Sequence, residues 1–171
     1  MAYQNNAAVA RRPKPLQHMM LRDTRAATAI EFALVAFPLC LLIVGTIVSG
    51  LNLMALGVLD AATKEAGRQI QIGAIRGTSD GAVRTLICGY LSNLAPTCNS
   101  TLMIYAASGL TFGAVQAATV TTAALSPTTF APGIGGQVVL LQVAYKSPFG
   151  LTLANIESFM LSSTTAFRNE P

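Results

Sequence analysis

Residues 32–59, FALVAFPLCLLIVGTIVSGLNLMALGVL, form a run of 28 positions without one charged side chain. About 20 apolar residues carry an α-helix across the hydrocarbon core of a bilayer, so this run is long enough to span and to continue beyond. A core helix of a soluble protein seldom runs so far without a charge. A cleaved secretory signal has an apolar stretch of roughly 7–15 residues. Val48-Ser49-Gly50 imitates a small-residue cleavage site, yet the apolar run continues past it to Leu59. The run therefore predicts a retained transmembrane helix spanning about residues 32–55.

Charge fixes the expected orientation. The net charge is +4, and residues 1–26 supply all of it through Arg11, Arg12, Lys14, Arg22 and Arg25 against Asp23. By the positive-inside rule this flank stays in the cytoplasm and the C-terminal part is exported. The remaining residues are net neutral, so the sequence pI of 9.3 describes a basic leader on a neutral body. That excludes a nucleic-acid-binding face, which needs clustered Lys and Arg. Only 11% of the chain is charged and 52% is hydrophobic, against about 25% charged in an ordinary soluble domain. With a mean hydropathy of +0.53, these values speak against both a soluble cytoplasmic monomer and a disordered chain.

The helix is expected to outrun the membrane. Leu56, Leu59, Thr63, Ala66 and Ile70 recur at helical spacing, while Asp60, Lys64, Glu65 and Arg68 take much of the remaining surface. Asp60 and Lys64 form an i,i+4 pair in the favourable order, and Gly73 suits a C-cap. A helix over 27–72 would be about 70 Å long. Pro38 removes one backbone hydrogen bond and predicts a kink in its first half. The small residues Ala29, Ala33, Gly45, Ser49, Gly50 and Gly57 would let helices approach closely, although such residues are common in membrane helices anyway.

Glu31, one residue before the apolar run, has two readings. It is a boundary carboxylate that snorkels to the headgroups, or it enters hydrocarbon and needs a cation. Leu34 and Val35, at i+3 and i+4, supply none. A free α-amino group made by cleavage just upstream, on this or a neighbouring subunit, would.

Beyond the helix, residues 85–145 contain no Asp, Glu, Lys or Arg. Ser79 or Asp80 caps a predicted helix over 81–93, with Val83, Leu86, Ile87, Tyr90, Leu91 and Leu94 on one side. Residues 101–107 read as a strand. Residues 108–136 read mostly as loop, with a strand near 118–122. The strongest strand is 137–146, where Val139, Leu141, Val143 and Tyr145 line one face and Gln142 and Lys146 the other. Residues 159–168 are a second strand, expected to pair with it antiparallel. The fold class is thus α+β: a long helix followed by a small antiparallel sheet. Three parts follow, a leader over 1–26, the helix over 27–73 and an exported domain over 74–171. An uncharged surface on that domain would favour association.

Cys40 lies in the span as a small apolar filler. Cys88 and Cys98 lie in the exported part, where an oxidising compartment makes a disulfide the preferred reading. A loop this short gains about 3 kcal/mol from closure. No C-x2-C pair accompanies them, and the one histidine, His18, is in the leader. A Ser/His/Asp, Cys/His or histidine metal site therefore cannot be built in the exported part. Its acids, Asp80, Glu157 and Glu170, are too scattered to pair. Catalysis and a bound cofactor are not expected.

Arg25-Ala26-Ala27-Thr28-Ala29-Ile30-Glu31-Phe32-Ala33-Leu34-Val35-Ala36-Phe37-Pro38 resembles the N-terminal segment of TadE-like pilus-assembly proteins. These are pseudopilins or minor pilins of the bacterial Tad (Flp-type) pilus. Residues 61–68, Ile87-Cys88 with Cys98, Phe130-Ala131-Pro132-Gly133 and the closing residues 166–171 are similar to that family as well. The resemblance implies a pilin-like α+β fold and cleavage by a prepilin peptidase between Ala26 and Ala27. Glu31 would then be the fifth residue of the mature chain. Glycine is usual before the cut, and here Ala26 stands instead. The Cys88/Cys98 pair fits the family's disulfide-like position. The implied partners are the inner membrane, other pilins or pseudopilins, the Tad platform proteins and the peptidase, with no nucleic acid. The implied role is non-enzymatic, in biogenesis of a Tad-type pilus for surface adhesion. The implied location is the bacterial inner membrane, single-pass, N-terminus cytoplasmic and C-terminal domain periplasmic. The rival is a periplasmic binding or sensor domain permanently anchored without leader cleavage.

Overall fold

The computed structural model describes residues 24–149 and 159–170, and the side chains from residue 28 onward. The basic leader before residue 24 and Glu157 lie outside the described residues. The chain divides into two compact units, Met1–Val44 and Gly45–Pro171. In the first, the described residues are helix throughout.

Helix α1 runs over Thr24–Gln71 with Pro38 inside it. It starts three residues before the expected boundary because Arg25, Ala26 and Ala27 are all good helix formers. Among the described residues it is the one helix long and apolar enough to cross a membrane. Its C-terminus is closed by a Schellman motif. Gly73 adopts φ +72°. Its N–H donates to the Ile70 carbonyl at 3.0 Å, and the Ala74 N–H donates to the Gln69 carbonyl at 2.9 Å.

The charged residues of the last turns pair locally. Lys64 Nζ lies 2.7 Å from Asp60 Oδ2, and the Ser163 hydroxyl donates to Asp60 Oδ1 at 2.9 Å. Arg68 donates to both carboxylate oxygens of Glu65, at 2.9 and 2.7 Å, and Gln69 adds a bond at 3.1 Å. The Arg68 guanidinium, helped by Gln69, pulls the Glu65 carboxyl down from 4.5 to about 2. Lys64 and then Ser163 lower Asp60 in the same way. A depressed folded pKa stabilises above the unfolded value, and the gain is lost as pH falls through the folded one. Melting of the second unit, followed by circular dichroism of the full chain in micelles, should therefore drop between about pH 4.5 and 2. Glu65→Gln should flatten that slope. An unchanged slope would show that this pair contributes nothing to folding.

Helix α2 covers Gly81–Leu91, and a single turn, α3, covers Cys98–Thr101. Asp80 occupies the N-cap position of α2 without a capping bond. Its carboxylate is held instead by Arg84 at 2.6 Å, while the Ser79 hydroxyl accepts from the Gly81 N–H at 3.4 Å. Val83, Ile87 and Leu91 are buried as expected, but Tyr90 is exposed. Tyr90 and the half-buried Leu86 lie to one side of the buried Val83, Ile87 and Leu91 line, at the margin of a narrow apolar stripe.

Five strands follow: β1 (Met103–Gly109), β2 (Thr119–Val120), β3 (Leu125–Ser126), β4 (Val138–Lys146) and β5 (Met160–Arg168). β1, β4 and β5 form an antiparallel sheet with β4 in the centre, and β2 and β3 pair as a separate ribbon. Tyr145 faces Leu161 and Leu141 faces Thr165 across the β4–β5 ladder. One sheet face packs Ile104, Leu141, Val143, Tyr145 and Leu161 against Leu59, Ala62, Ala66 and Ile70 of α1 and the buried stripe of α2. Each Leu or Ile buried there contributes about 2 kcal/mol.

The opposite face departs from expectation. Gln142 shares this face of β4 with Lys146, as the alternation predicts, yet it is only 5% exposed while Lys146 is exposed. β4 is central and the β2–β3 ribbon brings Ala118, Val120 and Leu125 over this side, where Ala144, Leu140 and Tyr105 join them. Alternation identifies the two faces of a strand; what covers the second face depends on distant chain.

Three contacts fix how α1 and β5 run. Asn52 meets residues 147–149 just after β4, where the Ser147 N–H donates to the Phe159 carbonyl just before β5; Asp60 meets Ser163, and Gly67 meets Thr165 and Phe167. Both elements therefore advance in the same direction. A Cβ added at Gly67 would lie 3.0 Å from both Thr165 and Phe167 side chains, so glycine permits this close approach.

Candidate assembly surface

Residues 28–44 of α1 carry their apolar side chains outward. Phe32 is 75% exposed and Phe37 68%, and Ile30, Leu34, Val35, Leu39 and Leu42 are exposed with them. Monomeric soluble proteins rarely expose contiguous apolar patches beyond a few hundred Å². This surface belongs in lipid or against other helices. Cys40 is a free, exposed thiol on the same segment.

Glu31 stands exposed at the start of this surface. Among the described residues no ion pair involves its carboxylate. Ala26 and Ala27 lie in the first turn of α1, where helix ends fray. The expected processing bond, Glu31 and the start of the apolar surface thus fall within two turns of one helix. Pro38 lies inside the helix, and its missing N–H leaves the Leu34 carbonyl without its usual helical donor.

Of the small residues, Ala29 and Ala33 are exposed on the first unit, and Ser49, Gly50 and Gly57 on the second. A Cβ built on Gly45, Gly50 or Gly57 meets nothing within 4 Å. Their openness is not used by packing among the described residues.

In the second unit the structure joins Cys88 of α2 to Cys98 at the start of α3, with Cα atoms 5.5 Å apart. The bond ties α2 to the turn that leads into β1, and both cysteines are buried members of the main core. Asp80, the remaining described acid of α2's approach, is paired with Arg84, whose guanidinium also donates to the carbonyls of Asn99 and Leu102. Among the described residues no group of three His, Cys, Asp or Glu side chains could hold a metal ion.

One residue escaped the sequence reading. Asn52 sits inside the apolar run, yet it is buried. Its Nδ2 donates to the Phe149 carbonyl at 3.1 Å and to the Val48 carbonyl at 3.0 Å, and the Ser147 hydroxyl donates to its Oδ1. An amide in a stretch otherwise free of polar groups beyond Thr46 and Ser49 was the available signal. Its partners, nearly 100 positions away in sequence, were not. From Asn52 onward α1 alternates between buried and exposed positions, with Ala55, Leu59 and Ala62 in the core.

Compared with known proteins, residues 26–68 match the sequence model of the family described as TadE-like protein. The match covers about a quarter of the chain, and it contains Ala26, Ala27, Glu31, Pro38 and Asn52. No curated protein sequence and no solved structure matches the chain.

Proposed function

From a chain whose residues 26–68 are TadE-like, we propose a minor pilin or pseudopilin that takes part in building a Tad-type pilus for surface adhesion. The observation that carries this reading is the bare apolar surface of α1 within the TadE-like segment. Such a surface suits two hosts in turn, acyl chains and the helices of sister subunits. The precursor is inserted in the bacterial inner membrane with its basic leader in the cytoplasm and residues 74–171 in the periplasm. A prepilin peptidase then cuts between Ala26 and Ala27.

Cleavage does two things at once. It removes the leader whose charge holds the helix end at the cytoplasmic face. It also creates an ammonium at Ala27, one turn from Glu31 on the same helix and equally able to reach the Glu31 of a neighbour. A carboxylate in hydrocarbon is costly unless paired, so the new amine makes the helix tolerable inside a fibre. The Cys88–Cys98 bond suits an oxidising periplasm. The partners are other pilins and the platform proteins of the machine, and the role requires no catalysis.

N-terminal sequencing of the mature protein from a strain with an intact pilus system tests the scheme. The expected first residue is Ala27. A chain that begins at Met1 or Ala2 would favour the permanently anchored periplasmic domain instead.

A further inference from the structure

We propose that the end of the second unit from which α1 emerges is a membrane-resting face, seated in the lipid headgroup region through Leu53, Met54 and Phe159 and anchored by Lys146. This rests on the membrane reading above and adds where the domain meets the bilayer.

The face is assembled by backbone geometry. Asn52 binds the Phe149 carbonyl, and the Ser147 N–H donates to the Phe159 carbonyl at 2.8 Å. Those two bonds set both phenylalanines at the level of Asn52 on the helix. Leu53 and Met54, the next two residues of α1, are 69% and 59% exposed, and Phe159 is 54% exposed. Residues 45–51, which lead into this level, are themselves apolar or small and mostly exposed. Exposed apolar side chains of the helix, at Leu53 and Met54, and of the sheet end, at Phe159, thus lie at one level.

Charge changes at the same level. Along α1 there is none between Glu31 and Asp60, and Asp60 stands about 12 Å further along the axis than Asn52. Lys146, exposed and paired in register with Met160, sits one residue before Ser147. Leucine and phenylalanine side chains dipping into the headgroup and acyl boundary, with a lysine that reaches the phosphates, are what an interfacial surface uses. Asn52 is then no misfit in a span. Its amide marks the last turn before the interface and spends its hydrogen bonds on the domain rather than on lipid.

The chain contains no tryptophan, which makes single-Trp reporters clean. Phe159→Trp, Phe112→Trp and Phe37→Trp would be placed, one each, in the full chain reconstituted in phosphatidylcholine vesicles. The lipids carry bromine either near the headgroup or near the chain end. Phe112 is exposed beside the opposite end of the sheet, since it follows β1, whose Gly109 pairs with Val138. The expected result is that headgroup-proximal bromine quenches the Phe159→Trp reporter about twofold more than deep bromine does. The Phe112→Trp reporter should escape both, and the Phe37→Trp reporter, about 22 Å from Asn52 along the helix, should be quenched by bromine at either depth. A quenched Phe37→Trp reporter with an unquenched Phe159→Trp reporter overturns the resting face alone. If the latter is blue-shifted but unquenched, a second copy of the chain covers the face, which also overturns it. Equal quenching at Phe112→Trp and Phe159→Trp would mean the domain has no preferred end toward lipid. An unquenched Phe37→Trp reporter overturns the membrane reading itself.

Discussion

Surface pili fall by more than about tenfold in a strain whose only copy of this chain carries Glu31→Ala, while the amount of chain in the membrane stays unchanged. In the proposed scheme the Glu31 carboxylate meets the ammonium of a processed Ala27. A hydrogen bond between charged groups is worth about 2 kcal/mol. Each 1.4 kcal/mol is about tenfold in affinity, so every junction made by this subunit weakens by roughly thirtyfold. Glu31→Gln keeps the size and a hydrogen-bonding oxygen but not the charge, and it should fall nearly as far. Electron-microscopic counts, with an immunoblot for membrane-bound chain, supply the measurement. Wild-type numbers of pili in the alanine strain would remove charge pairing from the mechanism and leave Glu31 as a boundary carboxylate.

The second large effect concerns the Cys88–Cys98 bond. Replacing both by serine should cost about 3 kcal/mol, because the open chain regains the freedom of the loop that the bond closes. That is a sizeable part of the 5–15 kcal/mol a domain usually has, and melting should fall by about 10 °C. A thiol count tests pairing independently. Of the three cysteines in the chain, one, the exposed Cys40, should react with maleimide in the unreduced, detergent-solubilised protein. All three should react after reduction and unfolding. Three reactive thiols without reduction, or equal melting of the paired-serine variant, would overturn the claim that the bond holds the domain together.

The elements that sequence reveals here are those with long, regular periods. The charge-free run and its amphipathic continuation mark α1 to within three residues at its start and one at its end. Strict alternation marks β4, and the match between β4 and residues 159–168 marks their pairing. The β2–β3 ribbon has two residues per strand, too short for any period to show. A strand near 118–122 is legible, but neither its partner β3 nor the sheet face the ribbon covers is, so the burial of Gln142 is not foreseen. On the assembly surface, Glu31, Pro38 and the small residues declare themselves by standing out against an apolar background. Asn52 stands out equally, but its meaning depends on Ser147 and Phe149, which only folding brings to it. Tertiary partners of single polar residues carry no local signature, whereas burial of whole faces does.

Because α1 and β5 advance in the same direction and touch at Asp60 and Gly67, tension applied at the front of the helix is handed to β5 lengthwise. The nine-residue β4–β5 ladder is then loaded in shear. Its hydrogen bonds must break together rather than open one by one like a zip. In the pilus proposed above, a pull by flowing water would load the subunit along this shear direction.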